Sequence, residues 1–225
     1  MLYEVMATRA REVSKSTAPT VFHSKTRLKI GLLGGSFNPA HDGHLHMSKL
    51  ALRTLGLDQI WWLVTPQNPL KDQHVMMMLA DRCNAARIIT KHHPQIKVLS
   101  PEERRPDYLT YNTLKWLRKT CPHAQFVWIM GADNLVQFSD WHRHRDISKL
   151  IPMAIIDRPG FSYPAISAGR SLPAHRLPPA RMAGQLARRR LGNNSWCFIA
   201  GKRHSASATA LRAQRRTKPR QTDAN

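Results

Sequence analysis

Acidic residues are scarce in this chain: 14 Asp and Glu stand against 35 Lys and Arg, a formal charge of +21 over 225 residues. Cysteine is scarcer still, and Cys83, Cys121 and Cys197 lie far apart with no paired spacing. That set excludes a disulfide framework and a cysteine zinc site, and it reads as the reduced thiols of a cytoplasmic protein. No apolar run approaches the ~20 residues that cross a bilayer, so no membrane partner is expected. The N-terminal stretch through Lys29 lacks the apolar core and cleavage site of a secretory signal. Internal repeats are missing, and so is the G-x-G-x-x-G dinucleotide fingerprint.

The positive excess is uneven. From Arg158 to Asn225, 14 Lys and Arg meet a single acid, Asp223. Residues 163–190 are rich in Pro and Arg and read as partly irregular. This third of the chain is expected to be an alkaline surface with a loose tail, not a nucleic-acid-binding face.

What is present is one core's worth of apolar residues, 42% of the chain. Residues 1–27 read as a weakly structured extension, 28–213 as one domain and 214–225 as a basic tail. Short apolar runs at Lys29–Leu33, Gln59–Val64, Ile96–Leu99, Gln125–Met130 and Ile151–Ile156 read as strands. Helical patterns over His44–Leu55, Met76–Lys91 and Thr110–Thr120 fall between them, and Trp196–Ala200 and Ser205–Arg216 supply a last strand and helix. Strands that are apolar throughout, alternating with helices, predict an α/β fold with a doubly wound parallel sheet covered on both faces. In such sheets ligands bind beyond the carboxyl ends of strands. The densest polar clusters follow Leu33 and Met130, both strand ends, and predict one shared cleft.

The first cluster is Gly34-Gly35-Ser36-Phe37-Asn38-Pro39-Ala40-His41-Asp42-Gly43-His44. Gly34-Gly35 alone is equally a tight turn or a phosphate loop. The histidines decide between them: three positions apart at a helix start, they stand about one turn apart and can face one anion. Loop N–H groups, a helix dipole and two imidazoles then converge where phosphates bind. The sequence His142-Arg143-His144-Arg145-Asp146 is not read as a metal site, because positions i and i+2 do not share a helix face and the arginines repel cations.

Gly34 to His44 resembles the G-G-[ST]-F-[DN]-P-x-H-x-G-H signature of adenylyltransferases that share a histidine pair with class I aminoacyl-tRNA synthetases. Five further segments are similar to those of bacterial nicotinate-nucleotide adenylyltransferases. They are Pro66-Gln67-Asn68-Pro69-Leu70-Lys71, Thr110-Tyr111-Asn112-Thr113-Leu114, Gly131-Ala132-Asp133-Asn134-Leu135 with Phe138 and Trp141, Asp157-Arg158-Pro159-Gly160, and Ser207-Ala208-Thr209-Ala210-Leu211-Arg212. The resemblance runs over roughly residues 28 to 213. It departs at Ala208, which replaces a serine hydroxyl, at Asn112, which replaces an aspartate, and at Tyr108-Leu109.

The resemblance implies a Rossmann-like nucleotidyltransferase fold and transfer of AMP from ATP to nicotinate mononucleotide. Magnesium would arrive with ATP rather than in a protein cage. The implied catalytic residues are His41, His44 and Arg212. ATP would also meet Gly34, Gly35, Ser36, Phe37, Ser207, Thr209 and Lys71, the last being equally an ordinary solvent-facing lysine. Trp141 is expected to stack on the pyridine ring, with main-chain N–H groups near Thr110 and His142 meeting its carboxylate. Gly131 and Asp133 fall at the mononucleotide, Asp133 either accepting from a ribose hydroxyl or capping the helix that follows it. Within the same scaffold, nicotinamide mononucleotide and phosphopantetheine are the rival acceptors.

Overall fold

Ile30 to Leu33 carries no polar side chain to set in water, and the chain places it where a strand has neighbours on both sides. Strand β1 (Lys29–Gly35) pairs in parallel with β2 (Gln59–Val64), Leu33 opposite Trp62, and with β4 (Gln125–Gly131), Leu33 opposite Ile129. The computed structural model describes residues 27–65, 76–100 and 109–201. It adds β3 (Ile96–Leu99), β5 (Met153–Ile156), β6 (His175–Arg176) and β7 (Ser195–Ile199). Every pairing is parallel, and the strand order is β3-β2-β1-β4-β5-β7-β6. The chain winds outward from β1 to β3, returns to β4 on the other side of β1, and runs outward through β5 to the edge strand β6 before β7 enters between them. The switch in winding lies between β1 and β4, the two strands whose ends carry the polar clusters.

Successive strand side chains point to opposite faces, and two cores result. Leu32, Trp61, Trp128, Met130, Met153 and Trp196 belong to one. On that face lie α3 (Thr110–Thr120), α4 (Ala132–Val136), α5 (His144–Leu150) and α6 (Ser162–Arg170). Leu33, Ile60, Trp62, Val127, Ile129 and Cys197 belong to the other. It is covered by α1 (Asp42–Leu55), α2 (Leu79–Thr90) and α7 (Pro179–Ala187).

Four expectations need correction. Helix α1 begins at Asp42, because His41 rather than a later residue caps it. The α2 helix begins at Leu79; Met77 lies before it, its N–H donating to Asn38 Oδ1 (3.2 Å) and its carbonyl accepting from Arg82 Nε (2.9 Å). Strand β5 begins at Met153: Ile151 closes α5, and Pro152 has no N–H to give a ladder. Residues 163–190 are regular over much of their length. Helix α6 buries Ala165 and Gly169, and α7, entered through Pro178-Pro179, buries Met182 and Leu186. At Gly169 a Cβ would run into the Trp196 ring, so only glycine lets α6 lie flat on that tryptophan. The expected helix over 205–216 lies outside the described residues.

All three cysteines are buried. Burial pushes the Cys197 thiol from the usual 9.0 up to about 12, and raises Cys121 as well. None is expected to react with a small thiol reagent in minutes at pH 8, and all three should react once denaturant is added. The unfolded chain ionises Cys197 first. The thiol's contribution to stability is therefore complete below about pH 9 and shrinks as the pH climbs toward 12.

Candidate functional site

The site is built where β1 ends. At Gly34 a Cβ would penetrate the indole of Trp128 from β4, so glycine is what allows the two strands their aromatic contact. The Gly35 carbonyl accepts from the Thr65 N–H (3.1 Å) and Thr65 Oγ1 (3.4 Å) at the end of β2. Phe37 then takes φ 46, the left-handed region that non-glycine residues avoid. It is held there by burial, stacked on Trp62 (centroids 5.0 Å) and beside His44 (4.6 Å). Trp62 is fixed in turn by donating Nε1–H to Ser48 Oγ (2.7 Å).

The two histidines close the start of α1 reciprocally. His41 Nδ1 accepts from the Gly43 N–H at 3.1 Å, and His44 Nδ1 accepts from the His41 N–H at 3.3 Å. Together they form a capping box with imidazoles in place of the usual hydroxyl and carboxylate. Their rings lie 3.9 Å apart, His41 buried and His44 half-buried. With Nδ1 acting as acceptor, each neutral ring carries its proton on Nε2, across the ring from the helix end. The Nδ1 edges of both rings thus face the first turn of the helix, and their Nε2 edges face away from it.

Thr110 is the first residue of α3. The half-buried Trp141 meets Trp128 edge-on (6.2 Å) and Phe138 (5.4 Å), so Gly34, Trp128 and Trp141 form one continuous contact from the glycine loop toward the 141–146 turn. His142 is exposed beside it. The Arg143 guanidinium sits 4.1 Å over the Tyr111 ring and donates to Asp146 (2.7 Å), tying the start of α3 to the loop that carries Trp141 and His142. That bond to Asp146 raises the Arg143 pKa.

Asp133 does not cap α4, whose cap is Gly131 with no side-chain bond. Its Oδ1 lies 3.8 Å from Arg158 Nε, in space that a Cβ at Gly131 would fill. Lys71, Ser207, Thr209 and Arg212 lie outside the described residues.

Sequence reasoning missed Arg82. It projects from α2, is 1% exposed, and donates to three carbonyls: Ser36 (2.6 Å), Thr65 (2.7 Å) and Met77 (2.9 Å). Burial lowers its pKa. The run Ala80-Asp81-Arg82-Cys83 gives no hint of this, since arginine on an amphipathic helix ordinarily faces water.

A cytidylyltransferase-like family model matches residues 32–214. A Methylorubrum extorquens protein named as a probable nicotinate-nucleotide adenylyltransferase is 46% identical over 189 residues, which span 83% of this chain and all of the relative. A Brucella suis protein of the same name is 44% identical over 82% of this chain and 94% of its own. The structure of Plasmodium falciparum nicotinic acid mononucleotide adenylyltransferase complexed with NaAD shares the fold. Its TM-score is 0.65 and its identity 18%, over 83% of each chain. The chain belongs to the cytidylyltransferase-like family and, within it, to the nicotinate-nucleotide adenylyltransferases. Among the described residues no helix is long and apolar enough to cross a membrane.

Proposed function

We propose that this chain transfers AMP from ATP to nicotinate mononucleotide, giving deamido-NAD and pyrophosphate. The observation that carries the reading is the reciprocal capping of α1, which sets two imidazole rings 3.9 Å apart beside a glycine loop at the switch point of the sheet. The mononucleotide's 5′-phosphate oxygen attacks the α-phosphorus of ATP in line, a new P–O bond forms, and the bond to the pyrophosphate oxygen breaks. Catalysis of this kind rests on holding the reactants in line and on neutralising charge as it develops. His41 and His44 donate to the ATP phosphates. The N–H groups around Gly35, Ser36 and Phe37 hold the attacking phosphate, and the dipole of α1 adds positive potential.

On the acceptor side Trp141 stacks on the pyridine. Main-chain N–H groups at Thr110 and His142 receive the carboxylate, and Asp133, beside Gly131, accepts from a ribose hydroxyl. Arg212, Ser207, Thr209 and Lys71 take their roles at the polyphosphate from the family resemblance. Nucleotidyl transfer from ATP generally uses a divalent cation, and we assign it to Mg2+ carried in by the triphosphate. The donor set at the loop suits this, because imidazole N–H and amide N–H groups complement phosphate oxygens rather than metal ions.

Pyrophosphate release measured with nicotinate and nicotinamide mononucleotides side by side tests the reading. The acid is expected to give the higher kcat/KM by tenfold or more. A tenfold preference for the amide would overturn the substrate, and no release with either would overturn the reaction.

A further inference from the structure

We propose that Arg82 is the positioning residue of the phosphate loop, fixing from behind the direction in which the Ser36 and Phe37 N–H groups point. The proposal rests on the reading that this loop holds the attacking phosphate.

In a planar trans peptide the C=O and N–H point to opposite sides. Arg82 Nη1 holds the Ser36 carbonyl, so the N–H of the same peptide, that of Phe37, is turned away from Arg82. Thr65 holds the Gly35 carbonyl and thereby turns the Ser36 N–H away from β2. Arg82 also donates to the carbonyl of Thr65, so one guanidinium governs both anchors. Two successive N–H groups beside a left-handed residue make an anion-binding concavity, and Phe37 is that residue. The third bond, to Met77, fixes the segment whose N–H holds Asn38 Oδ1 at the far end of the loop.

Burying a guanidinium is costly, and an apolar side chain of similar volume would fill the space with less desolvation. Carbonyl acceptors from three separate segments explain its presence, because a planar fork fixes donor directions as a lysine ammonium does not.

The test compares wild type with Arg82→Lys and Arg82→Gln, assayed below the melting temperature of each. Misplacement of the loop is expected to lower kcat/KM for nicotinate mononucleotide by about 10²-fold even in Arg82→Lys, with the KM for ATP changed less than threefold. A residue that only supported the fold would lower Tm and leave the kinetics of the folded protein alone. A folded Arg82→Lys enzyme with kcat/KM within threefold of wild type would therefore overturn the proposal.

A second measurement needs no variant. Titration of the wild-type protein with inorganic phosphate, followed by amide NMR, should move the Ser36 and Phe37 resonances most. If other amides respond while these stay still, the assignment fails. Loss of turnover with every mononucleotide would sink the proposed reaction, yet the phosphate titration would still decide whether this loop grips the anion.

Discussion

Replacing His44 with alanine is expected to lower kcat/KM for pyrophosphate release by at least ~10²-fold, the scale of removing one preorganised donor to developing charge. The change also removes an acceptor from the start of α1, since His44 Nδ1 holds the His41 N–H. Losing such a cap costs ~1 kcal/mol of stability. The two roles separate at the neighbouring position. His41→Asn supplies a good N-cap, but its amide ends short of the imidazole Nε2 position, so it should melt near wild type while losing rate on the same scale. Steady-state assays beside thermal melts read both. A His44→Ala enzyme with near-full turnover would remove the imidazole pair from the reaction.

Gly34→Ala is the second large effect. The new Cβ would lie within the Trp128 indole, which is wedged against Trp141 and cannot move out as a flexible chain end would. Overpacking of this kind costs ~1–3 kcal/mol, read as a lower urea midpoint at unchanged slope. Displaced Trp128 pushes on Trp141, so the KM for nicotinate mononucleotide should rise more than that for ATP. Gly35→Ala is the control: its nearest side-chain atom is Phe37 Cε2 at 3.5 Å, an ordinary contact. Equal destabilisation by the two substitutions would contradict the close approach at Gly34.

These two predictions draw on different layers of the sequence. The strand Ile96–Leu99 and helix Thr110–Thr120 were legible to the residue, because uninterrupted apolar runs and a 3.6-residue period are local signals. The sequence predicts that the histidine pair faces an anion, but it does not reveal the capping role that the structure shows. Helix starts are ordinarily read from Ser, Thr, Asp and Asn, so the sequence pattern alone starts α1 at His44. Helices α6 and α7 were hidden for another reason. Their buried faces are only Ala165 with Gly169 and Met182 with Leu186, diluted among Arg and Pro. Arg82 left no trace at all, since its burial depends on acceptors contributed by residues 36, 65 and 77. Long-range polar satisfaction has no local period to read.

The reciprocal cap on α1 also limits which chemistry this cleft can host. Each ring has committed its basic lone pair to an amide of the helix's own first turn, and an imidazole so engaged cannot take up a proton without unlatching that turn. A pair held this way is a poor proton shuttle. Under the proposed reaction such a pair suits an acceptor that arrives already ionised, and an alcohol or amine offered in place of a phosphate would find no base in these two rings.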